Sequence, residues 1–142
     1  MSVSEEKRKP GKLRVETLAY DAARTTRQLL CREDCFPKRS RWLGAKDIAD
    51  CANEMLMCIY AANDIHVKTE EDARIRRAYQ TRALSRFGAL EKRMTFEAFY
   101  WEKDVNLYAE WARQMNKLEP VLKNWIWKDE KRYADLLGIR QE

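Results

Sequence analysis

The chain has 142 residues, 45% of them hydrophobic and 36% charged, with a formal net charge of +5 and a pI near 9.1. That length suits one domain with a core of its own, no apolar run approaches the ~20 residues needed to cross a bilayer, and the polar start lacks the apolar stretch of a secretory signal. With only four Gly and three Pro, the composition points away from a many-turned sheet and towards long helices in a cytoplasmic protein.

Residues 1–12 carry Glu5, Glu6, Lys7, Arg8 and Lys9 ahead of Pro10-Gly11. They offer nothing to bury, so a flexible tail is expected there. A four-helix bundle is expected over 13–128, and a C-terminal tail or short helix over 129–142. The first helix, 13–35, has an apolar stripe of Leu18, Ala22, Thr25 and Leu29, with Arg24 and Arg27 turned away. Phe36-Pro37-Lys38-Arg39-Ser40-Arg41-Trp42-Leu43-Gly44 then reads as a tight basic turn. Pro37 ends the preceding helix, Ser40 is placed to cap the next one, and Lys38, Arg39 and Arg41 put cations on the corner.

The second helix, 40–64, has the clearest stripe. Ile48, Cys51, Ala52, Met55, Leu56, Ile59 and Ala62 recur at three- and four-residue steps. Cys58 and Tyr60 widen it enough to suggest contacts on more than one side. Asn63-Asp64 is expected to be its frayed end, with the lone His66 in a surface loop beyond. Thr69, followed by Glu70, Glu71 and Asp72, marks the next start: a cap, then acids where the helix dipole favours them. The third helix, reaching about 93, puts Tyr79, Ala83, Phe87, Leu90 and Met94 on one arc, with Arg82, Arg86 and Arg93 on a ridge beside it. Gly88 is either a mild liability or a place of close backbone approach.

Thr95 is placed to cap a fourth helix. Its stripe includes Val105, Tyr108, Trp111, Met115, Leu118, Leu122, Trp125 and Ile126, a near-heptad spacing suited to an antiparallel bundle. Pro120 inside that stripe predicts a kink or a break. Most tryptophans of this last third are expected in core or subunit packing.

Between 73 and 93, Arg74, Arg76, Arg77, Arg82, Arg86, Lys92 and Arg93 stand against the single acid Glu91. The excess marks a candidate surface for a polyanion or an acidic protein; a solvated helix face is the alternative. If the first two helices pack around Pro37, Cys31 lies roughly 10 Å and Cys51 roughly 20 Å from the turn. The four cysteines then cannot converge on one zinc, and they read as small buried hydrophobes rather than ligands or disulfides. The sequence has no Gly-rich phosphate loop, no His-x-x-x-His helix and no nucleophile elbow, and no acids on the expected inner faces for a carboxylate-bridged metal. Neither catalysis, a cofactor nor a metal is expected.

The first turn carries Phe36-Pro37-Lys38, Arg41 and Leu43-Gly44, and the second helix Ile48 and Ala61-Ala62-Asn63. Arg82-x-x-x-Arg86 and Trp125-Ile126 follow. In this order and spacing the set resembles the accessory variability determinant (Avd) family, small proteins that accompany the reverse transcriptases of diversity-generating retroelements. The resemblance covers most of the chain, 17–127. It implies an all-α, antiparallel up-down four-helix bundle, assembled into a homopentameric barrel and encoded by a bacterium or phage. It further implies a non-catalytic accessory whose basic surfaces engage a reverse transcriptase and its structured template RNA in mutagenic cDNA synthesis. Carried onto this chain, it makes Arg82 and Arg86 the leading partner-binding residues. Arg74, Arg77 and Arg93, with Lys38, Arg39 and Arg41, are added on charge alone, because guanidinium groups straddle phosphates or grip carboxylates bidentately. Salt bridges between subunits are the alternative use of Arg82 and Arg86. The longer tails, Pro120 and the four cysteines depart from the family pattern.

A neighbouring family, the small proteins encoded by intervening sequences of bacterial large-subunit ribosomal RNA genes, is similar in its bundle and its Phe-Pro-Lys turn. Its second helix has a Ser-Ile-Pro-like break and an Ala-Glu-Gly ending, both missing from 51–63 here. It supplies the second reading, a general RNA-binding bundle. A third is a structural helical adaptor whose charge serves solubility.

Overall fold

The computed structural model describes residues 10–139, and every regular element among them is helical. The long helices are α1 (Pro10–Leu30), α2 (Ala45–Asp64), α3 (Glu70–Tyr100) and α4 (Ala109–Arg132), followed by a short α5 (Ala134–Leu137). Single 3-10 turns, Lys38–Trp42 and Val105–Tyr108, precede α2 and α4. α2 packs most extensively on α3, while α1 lies against both α2 and α4. Val15, Ile48, Met55, Ile59, Phe87, Leu90 and Leu118 belong to one continuous apolar core. Among the described residues no helix is long and apolar enough to cross a membrane.

Of the tail expected over 1–12, residues 1–9 lie outside the described part and 10–12 already belong to α1. Proline suits a helix start, where its missing N–H would find no partner anyway. The basic turn is built differently from the expectation. Ser40 does not cap α2; its buried hydroxyl donates to the Pro37 carbonyl at 2.7 Å and closes the 3-10 turn. α2 starts after Gly44, with no side-chain cap. Gly44 is a place of close approach: a Cβ at this position would meet the Glu97 carboxylate, which would have to shift. Glu97, buried on α3, thereby sets a negative charge against the N-terminus of α2. Phe36 packs edge-on against Tyr108 at 6.2 Å between centroids. The Tyr108 hydroxyl donates to the Cys35 carbonyl at 2.8 Å, and burial pushes this phenol up to about 12.

The end of α2 is anchored rather than frayed. Asn63 is 2% exposed; its amide donates to the Lys12 carbonyl and, at 2.8 Å, to Glu16 Oε2. The Lys12 ammonium returns a bond to the Asn63 carbonyl. At the start of α3 the capping box forms as its residues suggest. The Asp72 N–H donates to Thr69 Oγ1 at 3.1 Å, and Asp72 Oδ2 accepts from the Thr69 N–H at 3.2 Å. Together with the Lys68 N–H, the leading cause, these bonds hold the Asp72 carboxyl below its ordinary range.

α3 runs straight through Thr95, whose hydroxyl donates to the Glu91 carbonyl at 2.8 Å instead of capping a new helix. It ends at Tyr100, and Glu102 turns the chain with a left-handed φ of 52°. Its buried face is a heptad run of Ala73, Arg76, Gln80, Ala83, Phe87, Leu90 and Met94. Tyr79, expected in the core, is exposed. Gly88 admits no close neighbour within the chain, since nothing lies within 4 Å of a Cβ placed there. α4 continues unbroken through Pro120. The carbonyl that loses its partner belongs to Asn116, which is solvent-exposed, while Leu118 and Leu122 on either side of the proline are fully buried. Packing therefore outweighs the lost hydrogen bond. Trp111 and Trp125 enter the core, whereas Trp42 and Trp127 are exposed. α4 extends past 128 to Arg132, α5 follows, and Gly138 closes it with φ 71°; residues 140–142 lie outside the described part.

Candidate anion-binding surfaces

The arginine ridge of α3 faces α2, and there it meets carboxylates. Glu54 bridges two guanidinium groups: Arg82 Nε donates to Glu54 Oε2 at 2.8 Å, and Arg86 Nε contacts Glu54 Oε1 as an ion pair without aligned hydrogen-bond geometry. The bond from Glu54 holds the Arg82 guanidinium above its ordinary pKa. Arg93 pairs with Asp47 at 3.2 Å. A shallow groove on this face has Asp47, Asp50 and Glu54 beside Arg86 and Arg93, so its charge is mixed. On the other flank Arg74 pairs with Glu70 along the helix, and Arg77 reaches Glu130 of α4 at 3.6 Å. The run of cations in α3 is therefore largely neutralised from other helices. Arg82 nonetheless stays 56% exposed at its side chain, and it shares its one carboxylate with Arg86.

The corner cations are dispersed. Lys38 pairs with Glu33 at 3.4 Å. Arg39 lies over the Trp101 ring at 5.2 Å, and Arg41 is exposed without an ion-pair partner among the described residues. Around them stands an exposed apolar group. Trp42 and Leu43 lie on the turn, and Phe96, Phe99 and Tyr100 on the last turns of α3. Phe96 and Tyr100 stack at 5.9 Å.

Two acids do point inward, contrary to the expectation that the inner faces carry none. Glu97 sits at one end of α3, as described. Asp129 of α4 is 5% exposed and paired with the buried Arg76 of α3. Gln80 donates to the same Asp129 oxygen at 2.8 Å, and Arg76 Nη1 donates to the Ala62 carbonyl at 2.6 Å. This network crosses three helices. Low dielectric makes such a buried pair sensitive to loss of either member.

Directly above the network opens a cleft of about 1400 Å³. Its walls come from the start of α1, the loop between α2 and α3, and the C-terminal half of α4. Lys12, Arg14, Lys68, Lys117, Lys128 and Arg132 line it, with Arg76 at its floor, against the lone carboxylate of Asp129. None of these residues was singled out from the sequence, Arg76 excepted as part of the charge run. The only linear signal is the spacing of Lys117, Val121, Asn124, Lys128 and Arg132 on one side of α4. Arg14 joins them only through the fold. His66 is exposed at the cleft's rim.

Cys35, Cys51 and Cys58 are buried and Cys31 is exposed, all as free thiols. Burial raises the Cys35 and Cys58 thiol pKa values. Among the described residues no group of three or more His, Cys, Asp and Glu is placed to hold a metal ion. No protein-family model matches the chain. No curated protein and no solved structure matches it either.

Proposed function

We propose that this protein is a non-catalytic accessory of a retroelement reverse transcriptase, holding the enzyme and its structured template RNA together for mutagenic cDNA synthesis. The reading rests on the order and spacing of the Avd-like motifs. One observation carries it at the level of geometry: Arg82 and Arg86 share a single carboxylate, Glu54, and the Arg82 side chain stays more than half exposed. An acidic or phosphorylated partner supplies a second anion. In this reading the helices form an antiparallel up-down bundle and the subunits a homopentamer, with the exposed group around Phe96, Phe99 and Trp42 as subunit contact.

The test is capture of the reverse transcriptase encoded beside this gene by the purified protein. The double variant Arg82→Ala/Arg86→Ala is expected to lose capture while light scattering shows the same mass as wild type. A wild-type protein that captures no enzyme overturns the reading. A double variant that falls to monomers reassigns the pair to subunit contacts. The second reading, a general RNA-binding bundle, is favoured by the unpaired cations of the cleft. It expects affinity for bare RNA that falls steeply with salt through counterion release.

A further inference from the structure

The cations around the cleft differ in kind from those of α3. Among the described residues Arg14, Lys117 and Lys128 have no ion-pair partner, and all three are exposed. The Lys12 ammonium is held only by a backbone carbonyl. The one lining carboxylate, Asp129, is already taken by Arg76 and Gln80, and its other oxygen lies 4.0 Å from the half-exposed Arg132 guanidinium. A concave surface with seven cationic side chains and one spent acid focuses positive potential into its mouth.

The walls are not uniformly polar. Leu18, Val67, Val121 and Tyr133 interleave with the cations. At the floor the Arg76 guanidinium lies over the Trp125 ring at 5.7 Å. Trp125 is 6% exposed, and its indole N–H is buried without an acceptor among the described residues. Buried donors are nearly always satisfied, so this one points to an acceptor brought from outside. From Lys117 to Arg132 the cationic side of α4 extends about 22 Å at 1.5 Å per residue. That length suits a chain of phosphates rather than one small anion.

From these features we infer that the cleft binds single-stranded RNA, its phosphates on Lys117, Lys128, Arg14 and Arg132 and its bases against the apolar wall. A single strand fits better than a duplex, because only unpaired bases have free faces to lay against apolar side chains. An acidic peptide such as polyglutamate could use the cations and the indole donor, but it brings no flat apolar faces to the apolar wall. The inference rests on the reading of this protein as an RNA binder and moves that activity away from Arg82 and Arg86.

The test uses the full chain and a fluorescein-labelled single-stranded oligoribonucleotide of roughly ten nucleotides, followed by anisotropy without any reverse transcriptase. Lys117→Glu/Lys128→Glu is expected to weaken binding about tenfold or more, and Lys46→Gln, which removes an exposed cation outside the cleft, to leave it unchanged. Lys117→Gln/Lys128→Gln, which adds no repulsion, is expected to make the log–log salt dependence shallower by about 1.4, the share of two phosphate contacts on a single strand. Circular dichroism identical to wild type shows that the variants are folded. If wild type binds RNA and both cleft variants bind it equally well, the site is elsewhere while the RNA-binding reading survives. If wild type binds no RNA even at low salt, that reading itself falls. Equal competition by polyglutamate, or tighter binding of the matching duplex, overturns the choice of single-stranded RNA.

Discussion

The α2–α3 seam and the cleft beside α4 both gather cations, and they dispose of that charge in opposite ways. Along the seam, Arg82, Arg86 and Arg93 are met by Glu54 and Asp47 from the neighbouring helix. In the cleft, Arg14 of α1 meets Lys117 and Lys128 of α4, and among the described residues none of the three has an ion-pair partner, the one lining acid, Asp129, being bound to Arg76. The difference teaches that a dense run of arginine in sequence is not a positive surface. What a ligand meets is the sum over all elements that pack around a point. A run on one helix invites compensation from its neighbours, while an even scatter over several elements becomes a patch only once they converge.

The sharpest way to break this comparison is at the floor of the cleft. Asp129→Ala strips Arg76 and Gln80 of their shared partner and leaves a buried cation uncompensated. The expected cost is about 3–5 kcal/mol in urea unfolding. A loss as small as that of an exposed pair would mean the network is solvated and the cleft has no rigid floor. Arg82→Ala, on the exposed seam, is expected to leave the unfolding midpoint unchanged within error.

Alkaline titration tests the anchor that Tyr108 makes with Cys35. The Tyr108 phenol is raised from 10.0 to about 12 in the folded chain, chiefly by burial. The folded state therefore holds this proton more tightly than the unfolded chain does. The resulting stability is present below pH 10 and is lost as pH rises towards about 12. Tyr108→Phe is expected to be less stable at neutral pH, because the Cys35 carbonyl loses its donor, but to show a flatter decline above pH 10 in a stability–pH series. An equally steep decline in the variant would remove Tyr108 from that role.

Two smaller effects sharpen the picture. Gly88 lies in the interior of α3 with open space around it. Gly88→Ala is expected to stabilise the chain by about 0.5–1 kcal/mol in thermal or urea unfolding; destabilisation with a drop in mass would show that another subunit covers this position. Glu54→Gln removes the seam's shared carboxylate and converts it towards the unpaired state of the cleft. RNA affinity is expected to rise roughly twofold to fivefold at low salt. No change at all would show that the seam is screened for some other reason than pairing.

Much of the helix plan was legible because it rests on local rules. The stripe from Ile48 to Ala62 matches the buried face of α2, and the Thr69–Asp72 box starts α3 where its residues say it should. The errors fall where a local preference lost to packing. Thr95 and Ser40 are good caps in isolation, yet each bonds a nearby carbonyl because its helix or turn is held by buried neighbours. Pro120 breaks nothing for the same reason. Tyr79, expected on the core arc, lies at the surface and Gln80 is buried, since the position next to Asp129 rewards an amide donor over an aromatic ring. The motif residues Phe36, Gly44, Asn63 and Trp125 turn out to be packing or docking residues. They speak to how the bundle closes, and the surface chemistry lies on other side chains.

By itself, then, the order of residues determined an all-helical chain, the faces that seek burial and the start of α3, because each depends on spacing within a few turns. Only the tertiary structure decided which cations are free. An ion pair needs two groups within about 4 Å, and the acids that silence α3, like the lysines that surround the cleft, reach their places from other helices.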